Sequence, residues 1–126
     1  MESLIIEKTV STPMVNFDAA AGVLEIKGES YPENISKFYT PVLDFLKAYL
    51  GSDVRGFVMI FDIPYFNSSS SKILLMILDM LDKGVQDGKN IRVKWLCEQE
   101  NEMAIECGEE FKEDLEQLPF EIEYYE

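Results

Sequence analysis

Four consecutive serines, Ser68-Ser69-Ser70-Ser71, are the residues of this chain best placed by type and spacing to do chemistry. They stand between an apolar run, Gly56 to Ile63, and a segment with a helical apolar pattern, so they open a helix. One serine in such a place caps: its oxygen accepts from a free N–H of the first turn, worth about 1 kcal/mol. A single cap needs a single hydroxyl, which leaves others to spare. A phosphate at an exposed helix start meets unpaired N–H groups and the positive end of the helix dipole. It also adds about −1.5 to −2 charges at neutral pH. Regulatory phosphorylation therefore stands beside plain capping as the chemistry of this run.

Other chemistries have less to build on. Ser69 and Lys72 spell S-x-x-K, but the companion S-D-N and K-T-G motifs of penicillin-recognising enzymes are absent. The chain has no histidine, which removes a Ser-His-Asp triad, the commonest general base and the commonest zinc ligand. Cys97 and Cys107 are too few and too far apart for a zinc site or a redox C-x-x-C, and read as reduced, mostly buried thiols. The acidic residues of the last third lack calcium-loop spacing. Abundance alone marks any pair of carboxylates for acid–base work. No catalytic residue, no metal site and no cofactor is expected.

The elements that must position the serines follow from pattern. Leu4 to Lys8 is a short strand, and Pro13 to Asp18 and Val23 to Lys27 form a hairpin across Ala19-Ala20-Ala21-Gly22. Asn34 caps a helix in which Ile35, Phe38, Tyr39, Val42, Leu46 and Tyr49 recur at helical spacing, with Gly51 as its C′ residue. Pro41 either kinks that helix or opens a second piece capped by Thr40. Gly56 to Ile63 reads as a central strand buried on both faces. A buried helix from the serines to about Asp87 and an alternating strand, Ile91 to Cys97, complete a right-handed βαβ unit with parallel strands. The last helix is expected over Glu100 to Leu118, stopped by Pro119, with Phe120 to Tyr125 as a final strand. The fold class is α/β: one domain, 1–126, with a mixed sheet.

Composition agrees with that class and narrows the partners. The 126 residues are 47% hydrophobic, too apolar for a disordered chain despite a net charge of −13. Residues 1 to 97 hold 12 acidic and 10 basic side chains, whereas residues 98 to 126 hold 12 acidic side chains and only Lys112. The charge thus belongs to the last helix and tail, and the serine run lies in a nearly neutral part. Nucleic acid, which needs a basic footprint, is excluded as a partner. The first residues lack the pattern of a secretory signal, and the longest apolar stretch, Ile73 to Leu78, is too short to span a bilayer. A soluble, cytoplasmic protein with no membrane insertion is expected.

Two blocks of residues resemble a known family. Tyr31-Pro32-Glu33-Asn34, followed by Phe38-Tyr39-Thr40-Pro41-Val42-Leu43-Asp44, looks like the first signature of the SiaC family of bacterial regulatory phosphoproteins. Tyr65-Phe66-Asn67-Ser68-Ser69-Ser70, with Ile77-Leu78-Asp79-Met80-Leu81 after it, looks like the second. Trp95 and Glu109-Glu110-Phe111-Lys112-Glu113-Asp114 also resemble that family. The resemblance implies a STAS-like fold, with helices packed mainly on one face of the sheet. It implies a non-enzymatic switch in which a SiaB-like kinase phosphorylates Ser68 and a PP2C-type phosphatase removes the phosphate. The unphosphorylated form would then bind and activate a diguanylate cyclase, controlling cyclic di-GMP and with it biofilm or aggregation. Tyr65, Phe66, Asn67, Ser69 and Ser70 would flank the phosphosite and meet the partner. Rival readings are an anti-anti-sigma factor that binds an anti-sigma kinase, a small carboxylate-based enzyme, and a purely structural interaction subunit.

Overall fold

The chain begins as an antiparallel meander and continues as three strand–helix–strand crossovers. Its computed structural model describes all residues, 1–126. The order is β1 (Leu4–Ile6), β2 (Met14–Asp18), β3 (Val23–Lys27), α1 (Ile35–Leu50), β4 (Gly56–Asp62), α2 (Ser68–Gln86), β5 (Asn90–Glu98), α3 (Glu102–Asp114) and β6 (Phe120–Tyr125). The strands lie side by side in sequence order in one six-stranded sheet. β1–β2 and β2–β3 pair antiparallel; β3–β4, β4–β5 and β5–β6 pair parallel. The turn from β2 to β3 needs Gly22, whose φ is +69°.

Each crossover steps one strand in the same direction, so the right-handed rule puts α1, α2 and α3 on the same face. The alternation along the strands shows that face: Phe57, Met59 and Phe61 of β4 and Ile91, Val93 and Trp95 of β5 are buried. Burying each such side chain stabilises the fold by roughly 1.5–3 kcal/mol. On the opposite face Val58 and Ile60 are only half-buried, because no helix covers them. The expectation of a β4 buried on both faces is thereby corrected. No helix of the chain is long and apolar enough to cross a membrane.

Trp95 is the centre of the core. Its ring lies 5.7 Å from Phe61, 6.0 Å from Phe66, 5.5 Å from Phe111 and 6.0 Å from Phe120. The indole Nε1 donates to the Ala104 carbonyl at 2.9 Å, so the buried ring keeps no unpaired donor. α3 approaches so closely that a Cβ at Gly108 would lie 2.6 Å from Trp95 Cδ1.

Three sequence expectations for the helices change. Of the two readings for Pro41, the second piece capped by Thr40 falls: α1 is one helix through Pro41, and the Thr40 hydroxyl donates back to Ser36 O at 2.6 Å. Gly51 sits in the right-handed region, φ −81°, so it is not a left-handed C′ residue. α3 ends at Asp114, short of Leu118, and Pro119 is not its stop. The cause is Asp82 of α2, a buried carboxylate. It accepts from the backbone N–H groups of Glu116 (3.2 Å), Gln117 (2.9 Å) and Leu118 (2.8 Å) and holds that stretch out of helix.

Candidate functional site

All three helices start beyond the C-terminal ends of the parallel strands β3, β4 and β5, each behind an asparagine. Asn34, Asn67 and Asn101 cap α1, α2 and α3, their side chains accepting from the N–H of Lys37, Ser70 and Ala104. Short polar side chains at these positions satisfy otherwise free donors at each helix start. The serine run is therefore not needed for capping. Asn67 Oδ1 takes the Ser70 N–H at 2.9 Å and Asn67 O takes the Ser71 N–H at 2.9 Å. The N–H groups of Ser68 and Ser69, the first two helical residues, keep no partner.

The four serines differ sharply in surroundings. Ser68 and Ser69 are exposed, Ser71 is half-buried, and Ser70 is wholly buried. Ser70 Oγ donates to Ser30 O at 2.9 Å and lies 2.8 Å from Ser30 Oγ, which in turn lies 2.6 Å from the Tyr39 hydroxyl. A carbonyl only accepts, so the proton order is settled by the end of the chain. Tyr39 donates to Ser30, Ser30 to Ser70, and Ser70 to the Ser30 carbonyl. Burial raises the Tyr39 phenol to about 12, with the Ser30 bond working the other way, so it stays a neutral donor.

The loop before α2 is tied on both sides. Ser30 and Phe66 form an isolated parallel bridge, with Ser30 N–H donating to Tyr65 O and Asn67 N–H to Ser30 O. On the other side the Asn101 side-chain amide donates to Pro64 O at 2.9 Å. Tyr31 and Tyr65 meet edge to face above this seam, 5.9 Å apart, and Tyr65 is 48% exposed. Beside them an open groove of about 680 Å³ runs along the start of α1, lined by Tyr31, Pro32, Glu33, Asn34, Lys37 and Phe38 among others.

No cluster of three or more His, Cys, Asp or Glu side chains is shaped to hold a metal. Cys97 is buried and Cys107 half-buried; both are free, and burial first, then nearby carboxylates, push both thiols up from the ordinary value. The site is instead a pair of exposed hydroxyls on a rigidly fastened helix start.

Residues 6–125 match the model of the SiaC family regulatory phosphoproteins. The chain belongs to the SiaC family. An uncharacterized protein of Pseudomonas aeruginosa strain UCBPP-PA14 is 36% identical over 123 residues, 98% of this chain and 97% of that one. The crystal structure of apo-SiaC from Pseudomonas aeruginosa superposes with a TM-score of 0.92 at 35% identity, covering 98% of this chain and 99% of that one. Another solved structure is of the diguanylate cyclase SiaD in complex with its activator SiaC from the same organism. Its matching chain is 35% identical, with a TM-score of 0.92 over 97% of this chain and 99% of that one. The α/β class, with a mixed sheet and helices on one face, is thus common to this SiaC-family chain and those structures.

Within this SiaC-family fold, the two sequence blocks that are far apart in the chain become neighbours. Ser30, next to Tyr31, bridges Phe66 and bonds Tyr65 and Asn67 through its backbone, and the rings of Tyr31 and Tyr65 meet. Two flanking residues leave the expected surface. Phe66 is 7% exposed, its ring against Trp95 and Phe111, so it belongs to the core and not to a docking patch. Ser70 is fully buried, its hydroxyl held in the chain to Ser30 and Tyr39 and not on the surface. Ser30, Asn101 and the Tyr39 hydroxyl escaped sequence reasoning. Ser30, one residue before Tyr31-Pro32, was the one available signal, as a polar residue where the strand pattern breaks.

Proposed function

We propose that this chain is a non-enzymatic phospho-switch whose state is written at Ser68 and read by a diguanylate cyclase. A SiaB-like kinase adds the phosphate, a PP2C-type phosphatase removes it, and the unphosphorylated form binds and activates the cyclase. The chain acts as one unit over 1–126 in the cytoplasm, and the output is cyclic di-GMP. Family membership supports this reading, as does the SiaD complex of a relative that matches over nearly its whole length. The observation that carries it to a residue is Ser68 itself. It is an exposed hydroxyl at the first position of α2, where its own N–H and that of Ser69 are unpaired.

The physics of the switch follows from that position. A phosphate on Ser68 faces two free N–H donors and the positive end of α2, so the modified form is locally comfortable in water. The same dianion in a partner interface loses its hydration. Tyr31 and Tyr65 offer the partner a neutral, partly apolar patch beside Ser68. Burying an unpaired dianion there costs several kcal/mol, enough to weaken a micromolar complex by roughly 10³-fold. The 12 carboxylates of residues 98 to 126 favour approach of a basic partner surface.

The test uses the purified full chain with the SiaB-like kinase, ATP and Mg²⁺, followed by intact-mass analysis and cyclase binding. Wild type gains one phosphate and loses cyclase binding. Ser68→Ala gains none and binds constitutively, and Ser68→Asp does not bind. Full phosphorylation of Ser68→Ala would sink the assignment.

A further inference from the structure

We propose that the buried hydroxyl chain Tyr39–Ser30–Ser70 is the positioning device that lets a kinase distinguish Ser68 from the serines beside it; this rests on the phospho-switch reading above. The four hydroxyls are chemically identical, and two of them, Ser68 and Ser69, are both exposed. Something other than side-chain chemistry has to separate them.

Geometry does so only if the first turn of α2 is fixed. Successive helical residues point about 100° apart, so Ser69 is turned about 100° from Ser68, and Ser71 about 60° the other way. A kinase that approaches in line with Ser68 Oγ finds the other two hydroxyls misdirected. The first turn of a helix is, however, where helices fray, and a frayed turn presents all its hydroxyls by turns. Asn67 alone bonds two N–H groups of this turn, from within the same segment.

The hydroxyl chain anchors the turn to the rest of the molecule. Ser70 sits one step beyond Ser69 and is 0% exposed. Its proton is committed to Ser30 O, and its oxygen receives the Ser30 proton, which is itself held in place by Tyr39 of α1. The start of α2 is thereby joined to α1 and the loop that leads into it by three bonds of 2.6 to 2.9 Å. Ser70 is also withdrawn as an acceptor, since transfer to its oxygen would need the whole chain taken apart. These residues touch neither ATP nor the transferred phosphoryl group; they act through Ser68.

The test measures site-resolved phosphorylation of full-length wild type, Ser70→Ala and Tyr39→Phe with the SiaB-like kinase, ATP and Mg²⁺. The temperature is well below each variant's Tm. Wild type carries phosphate on Ser68 alone. Both variants show kcat for Ser68 lowered about tenfold with KM little changed, and phosphate appears on Ser69, because misplacing an acceptor by about 1 Å is enough for such a loss. Tyr39→Phe removes one oxygen and keeps the ring, so it reports even if Ser70→Ala folds poorly. Wild-type kcat and a single site in both variants, with only Tm lowered, overturn the positioning role while leaving the switch intact. Absence of phosphate on Ser68 of wild type overturns both.

Discussion

Removing the Asp82 carboxylate is the sharpest test of how this fold is held. Asp82 accepts three backbone N–H groups from the segment between α3 and β6, and no other side chain does so. In Asp82→Ala the Leu118 N–H is left buried without a partner, which costs about 1–3 kcal/mol. Those of Glu116 and Gln117 are only partly buried and regain water, so losing their bonds costs about 0.5–1 kcal/mol each. The expected loss is about 3 kcal/mol. At about 2.1 cal/mol/K of unfolding entropy per residue, the chain unfolds with about 0.26 kcal/mol/K, so Tm falls by about 11 °C. Asp82→Asn keeps one acceptor oxygen, and its drop should be about half that.

The same pair of proteins gives a pH signature. Burial pushes the Asp82 carboxyl up, but the N–H groups of Gln117, Glu116 and Leu118, with Gln86, outweigh it and hold the group below its ordinary 3.8. A depressed folded value means that the stabilisation is present above the unfolded value and lost as pH falls through the folded one. Thermal unfolding followed by circular dichroism should therefore show the full Tm gap between wild type and Asp82→Ala above about pH 5, narrowing as pH falls below about 4. A gap under 3 °C at neutral pH, or one that stays constant to pH 3 with cooperative unfolding, refutes the clamp.

Two further perturbations probe other parts of the fold. Gly108→Ala places a methyl 2.6 Å from the buried Trp95 ring, so it should destabilise by about 1–3 kcal/mol and shift tryptophan fluorescence. Unchanged Tm and emission would mean that α3 can move away freely. Tyr39 and Tyr125 are both raised to about 12, mainly by burial and for Tyr125 also by its 2.8 Å bond to Asp62. Their contribution is complete below about pH 10 and lost as pH rises towards 12. Wild-type stability should fall more steeply over that range than that of Tyr39→Phe or Tyr125→Phe; parallel curves would contradict it.

Much of the architecture was legible because it is written in local patterns. The β3 limits, the Asn34 cap and the parallel β4–α2–β5 unit follow from alternation, helical spacing and capping chemistry, which act over a few residues, whereas the cap of α2, expected from a serine, is Asn67. The acidic C-terminal segment and the lack of histidine also needed no coordinates. The end of α3 was not legible, since its apolar stripe continues to Leu118 and only a carboxylate 34 to 36 residues earlier interrupts it. Phe66 read as a surface neighbour of the serines for a similar reason: nothing within its own segment shows that Trp95 and Phe111 lie behind it.

The sequence by itself determined that the chargeable feature is a serine run at a helix start in a nearly neutral stretch, and which family that run resembles. Only the tertiary structure decided that the four serines are unequal. Ser70 faces Ser30, 40 residues away, and through it Tyr39, so one hydroxyl is spent inside the protein while Ser68 and Ser69 remain outside. The physical reason is range. Capping and periodicity are set by neighbours along the chain, whereas burial and hydrogen-bond partners are set by whichever segment the sheet brings alongside.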